Sequence, residues 1–105
     1  MRNNDIIIIN KINELAEKVA EEKNLTDKEW QALDDNLSDE EFNKEYDAIY
    51  KKHYDFITPA VAEIIKLVDE IEDIHEARMK LAELMVGKVI FPVDVNRHSI
   101  KYADK

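Results

Sequence analysis

Apolar residues return at Ile8, Ile12, Leu15 and Val19, with Ile9 and Ala16 beside them, which draws one stripe along a helix. The run Ile6–Ile9 that opens it is β-branched and would also suit a strand paired with "VIFPV" near the C-terminus; the period favours helix. A second stripe joins Phe42, Tyr46, Ile49, His53, Phe56 and Ile57, with Lys44, Asp47, Lys51 and Asp55 on the opposite side. A third alternates Ile57, Ile64, Ile71 and Met85 with Ala60, Leu67, Ile74 and Leu81 in a heptad-like order. These stripes predict an all-α, four-helix bundle-like fold.

Boundary signals cut the stripes into elements. Thr26 with Glu29, and Ser38 with Glu41, read as capping boxes. Thr58 and Pro59 read as a cap followed by a first-turn proline, and Gly87 suits a left-handed helix stop. The expected helices therefore cover about 5–23, 27–36, 39–57 and 59–86. Residues 1–87 form the predicted helical domain, and 88–105 an extended, irregular C-terminal tail docked on it.

Three polar residues interrupt or border the stripes. His53 lies mid-seam and His75 at a stripe border, where each is expected as a hydrogen-bonded core residue. Arg78 falls in the centre of the third stripe. If Thr58-Pro59 is a tight turn, Arg78 comes level with Asp39, whose carboxylate would offset the buried charge. If Pro59 only kinks a continuous helix, that pairing fails.

Composition narrows the choices further. One glycine and two prolines leave little material for hairpin turns, which disfavours small β-barrels and sandwiches. With no cysteine, disulfides and thiolate zinc sites are excluded, and a cytoplasmic location is expected. No stretch approaches the roughly 20 apolar residues of a membrane span, and the N-terminal apolar run is short for a secretory signal. The net charge of −9 argues against direct nucleic-acid binding. That charge is uneven: residues 25–57 hold ten acids against four lysines, whereas 88–105 hold four bases against two acids. An acidic body calls for a basic protein partner.

Candidate chemistry is sparse. There is no Gly-x-Ser-x-Gly, and a single glycine cannot build a phosphate loop. Glu72-x-x-His75 has the spacing of a carboxylate-bridged di-iron motif, but occurs once where such sites use two copies. Asp69, Glu72, Asp73 and Glu76 share a face opposite the apolar stripe, as a solvated ridge would. Glu14-x-x-Glu17 and Glu70-x-x-Asp73 resemble the metal-binding motifs of the MazG-like all-α nucleotide pyrophosphohydrolases, where the two motifs lie on consecutive helices. That resemblance implies a metal-dependent enzyme using these helix carboxylates.

The expected function is instead a non-enzymatic one without cofactor or metal. The chain reads as a small acidic binding protein that occupies a basic partner, as inhibitors, immunity proteins, antitoxins and phage anti-defence factors do. Its length, four helices and C-terminal tail are similar to the architecture of the immunity proteins of pediocin-type bacteriocins, which implies the same mode of action. The candidate surface is the acidic belt of Asp34, Asp35, Asp39, Glu40 and Glu45, bordered by Trp30, Tyr50 and Tyr54. The length of the last helix also allows a structural or regulatory homodimer, with Arg78 or His75 setting register.

Overall fold

The structure, a computed structural model, describes residues 3–98. Four helices follow in chain order, α1 (Asn3–Gln31), α2 (Asp39–Glu70), α3 (Ile74–Val86) and α4 (Pro92–His98), with no strand among the described residues. The run Ile6–Ile9 is helical. The all-α expectation holds, but the chain is cut at different places.

α1 and α2 run antiparallel along nearly their whole length. Asp5 meets the backbone of Glu72 and Asp73, Glu22 and Glu29 meet His53, and Trp30 lies on Tyr46. The 32 residues of α2 span about 48 Å at the usual rise, which accounts for an elongated body of 55 × 29 × 20 Å. α3 and α4 pack on α2 and thicken one half of this hairpin. The core lies there. Ile8, Ile12 and Val19 of α1 face Ile57, Ile64, Ile65 and Val68 of α2, closed by Leu81 and Leu84 of α3 and by Val89, Ile90 and Val95 beyond it.

Two predicted boundaries are absent. α1 passes straight through Thr26, which is fully buried and donates its hydroxyl back to the Glu22 carbonyl at 2.7 Å. Glu29, the other half of the expected capping box, is taken by His53 and Lys52. Tertiary partners thus outbid the local cap. α2 likewise continues through Pro59. Pro59 sits on the exposed side, so the Asp55 carbonyl it leaves without an amide faces water. Thr58-Pro59 is no turn, and the expected pairing of Arg78 with Asp39 fails. Only the Ser38–Glu41 capping box forms as predicted.

The break falls instead at residues 71–73, within what the sequence suggests is one helix. Ile71 is extended and fully buried. Asp5, also fully buried, accepts from the amides of Glu72 at 3.0 Å and Asp73 at 3.2 Å. Asp73 then caps α3 by accepting from His75 and Glu76. Four amides at the start of α3 are thereby satisfied by two carboxylates, placed where the helix dipole favours them.

The interruption resets the helical phase. The inward residues of α3 are Ala77, Lys80, Leu81 and Leu84, in place of the Ile74–Arg78–Leu81–Met85 set that an unbroken helix would bury. Arg78 and His75 are exposed, which corrects their expected core placement. Lys80 is the cation turned inward, and it donates to Asn13 at 2.9 Å and Glu83 at 3.2 Å.

α3 ends in a Schellman motif. The Val89 amide donates to Leu84 O and the Lys88 amide to Met85 O, both at 3.0 Å. The left-handed residue is Lys88, at φ 59°, while Gly87 before it keeps a right-handed conformation. Of the segment 88–105, read from sequence as extended, residues 99–105 lie outside the described residues and Pro92–His98 form the short helix α4. Lys23 ties it down, with Nζ donating to the carbonyls of Lys88 and Val89 at 3.0 and 2.9 Å and lying 4.7 Å from the Phe91 ring centroid. Burial lowers the Lys23 pKa, and Asp94 and Asp27 oppose that shift.

Candidate functional site

Beyond the core, α1 and α2 continue as a two-helix arm closed by the connection 32–38. Two helices cannot enclose an interior by themselves, and the arm shows the result. Phe42, Tyr46 and Phe56, expected inside the seam, are 41%, 37% and 40% exposed. Only the midline of the α2 stripe is covered, at His53 and Ile57. The rings pack on one another instead. Trp30 and Tyr46 stack with centroids 4.4 Å apart and planes 4° from parallel, and Phe42 follows at 6.1 Å from Tyr46. Trp30 also donates its indole N–H to the Tyr46 carbonyl at 3.3 Å. Farther along α2, Tyr50 and Tyr54 stack at 4.3 Å.

At the base of the arm His53 joins the two helices. Its Nδ1 lies 2.8 Å from Glu22, and its Nε2 contacts Glu29, which also binds Lys52 at 3.0 Å. Two carboxylates, one on each ring nitrogen, suit a doubly protonated imidazolium. The hydrogen bonds that His53 donates to Glu22 and Glu29 raise its pKa, and burial opposes them less strongly. In turn His53, and then Lys52, hold the Glu29 carboxyl below its ordinary range. His53 is therefore the buried, hydrogen-bonded histidine anticipated from its position. Glu22 and Glu29 were not identified as its partners, although they stand seven residues apart, two turns on one face of α1.

The acidic candidates gather at the tip. Asp34 and Asp35 lie in the connection, Asp39 and Glu40 in the first turn of α2 and Glu45 in the next, all exposed. Asp34 also accepts from the Asn36 amide at 2.9 Å and shapes the turn. Trp30 is half-buried beside this end. Tyr50 and Tyr54 are set apart, since eleven residues from Asp39 to Tyr50 correspond to about 16 Å of helix. The candidate surface is thus two neighbouring features on one arm: an acidic tip and an aromatic flank.

The carboxylates considered for metal chemistry do not converge. Asp73 is occupied in capping α3, and Glu14, Glu17 and Glu70 are exposed. Among the described residues no three His, Asp or Glu side chains are grouped to hold a metal ion. No described helix is long and apolar enough to cross a membrane. No family model matches the chain, and no curated protein or solved structure matches it either.

Proposed function

We propose that this chain is a binding protein that acts by occupying a basic protein partner, in the manner of an inhibitor, immunity protein, antitoxin or anti-defence factor. The observation that carries the reading is the arm. It presents five carboxylates at its tip and stacked rings along its side, Tyr46 and Tyr50 exposed and Trp30 and Tyr54 half-buried, while the apolar core lies in the other half. Charged tips steer encounter with an oppositely charged surface, and aromatic side chains supply contact area at small entropic cost. A second copy of this chain would bring like charge against like charge at the tip, so the reading takes a heterologous partner.

The test is charge reversal at Asp34, Asp35, Glu40 and Glu45 together. These side chains are exposed and outside the core, so the thermal midpoint should stay nearly constant. Partner capture from the native host's lysate, read by mass spectrometry, should fall with the association rate reduced at least tenfold at low salt. A variant that captures the same partner at an unaltered rate excludes this surface.

A further inference from the structure

The arm is closed by polar contacts where the other half has a core. Between residues 20 and 52 no apolar side chain is buried; the core stops at Val19 on α1 and at Ile57 on α2. At the base of the arm the buried residues are Thr26, bonded back to its own helix, and His53, set between Glu22 and Glu29. Around this bridge, Lys52 reaches Glu29 at 3.0 Å from the exposed side, and Trp30 lies on Tyr46 toward the tip.

The bridge is complete in one protonation state only. An imidazolium donates from both ring nitrogens, which matches a carboxylate on each. Neutral imidazole keeps one N–H, so its other nitrogen turns a lone pair toward a carboxylate at a buried position, and one of the two ties opens. Glu29 is the partner with a second donor, the exposed Lys52, to draw it outward. It also stands seven residues nearer the tip than Glu22, about 10 Å along α1. Loss of the Glu29 tie therefore frees the tip side, while Glu22 keeps the remaining N–H. The charged groups that act on the ring are these two carboxylates of α1. Lys52 is their neighbour on α2, and among the described residues no charged side chain of α3 or α4 shifts the ring.

We infer that Glu22, His53 and Glu29 form a proton-operated latch at the base of the arm: protonated, it clamps α1 to α2, and neutral, it lets the arm beyond Thr26 loosen while the core stays packed. The inference goes beyond the binding reading and does not depend on it. Because both hydrogen bonds retain the proton, release falls above the ordinary histidine value of 6.5.

The single tryptophan, Trp30, reports on the arm. The full chain is titrated from about pH 5.5 to about pH 9, below tyrosine ionisation, with the His53 ring and the Ile12 and Ile64 methyl groups followed by NMR. Trp30 is followed by emission and acrylamide quenching. It should become more accessible at the midpoint of the His53 titration, with the core methyl shifts unchanged. Amide protection over 24–31, relative to amides around Ile64, should fall about tenfold, the low end for a charged hydrogen bond because both carboxylates are only half-buried. His53→Gln should leave Trp30 insensitive to pH; if that variant does not fold, the coincidence of the two midpoints in the parent chain decides. A His53 ring that does not titrate in this range, a Trp30 signal that is flat or moves at another midpoint, a core that loosens together with the arm, or a response that persists in folded His53→Gln each overturn the latch.

Discussion

Removing the Asp5 carboxylate should unlock the start of α3. Asp5 is fully buried, and its two oxygens accept from the amides of Glu72 and Asp73 at the turn between α2 and α3. In Asp5→Ala both amides lose their acceptor inside the fold, at about 1–3 kcal/mol each. A further fraction of about 1 kcal/mol goes with the lost carboxylate at a helix N-terminus. Relief of carboxylate desolvation offsets part of this, which leaves an expected net loss of about 2–4 kcal/mol. Asp5→Asn keeps one acceptor oxygen but turns an NH₂ toward the second amide, so about half that loss is expected. Urea midpoints give the free energies, and hydrogen exchange at Glu72 and Asp73 locates the effect. For a domain of this size a 3 kcal/mol loss lowers Tm by about 12–24 °C. An Asp5→Ala variant within about 0.5 kcal/mol of the parent, with both amides equally protected, would refute the capping argument.

Two further expectations concern α2. The His53 pKa is raised above its ordinary 6.5 and that of Glu29 is lowered below 4.5. The His53 contribution is therefore complete below pH 6.5 and fades as pH rises through the elevated folded-state value. The Glu29 contribution is complete above pH 4.5 and fades as pH falls through the depressed one. Stability should plateau between these limits, and His53→Gln should remove the alkaline decline; an identical decline in that variant would assign it elsewhere. Pro59→Ala restores an amide opposite the Asp55 carbonyl within a continuous helix, and should raise stability by about 1–2 kcal/mol in urea unfolding. A lower stability would mean that the proline, and not the helix, sets the local backbone.

How much of this was legible in the chain differs from element to element. The stripes of α1 and α2 were read correctly because the residues from Ile8 to Val19 and from Ile57 to Leu67 repeat at helical spacing and meet one another. The boundaries were misread where a local signal and a tertiary one competed. Thr26 and Thr58-Pro59 look like starts, yet packing along the hairpin carries both helices through them. The real break at Ile71 has no glycine or proline to mark it. It depends on Asp5, more than sixty residues earlier, which no local pattern relates to it. From that one error followed the misplacing of Arg78 and His75. The acidic tip was visible as composition. Exposure of Phe42, Tyr46 and Phe56 was not, because helical spacing shows which residues share a face and cannot show how many helices cover it.

Confining the packed interior to one end makes the arm a boom of adjustable length. Seven residues added to each of α1 and α2 beyond the core would carry the tip about 10 Å outward, two turns on, with the stripe still aligned. Shortening by the same step would draw it back. The reach of the tip and most of the resistance to unfolding are set by different stretches of the chain.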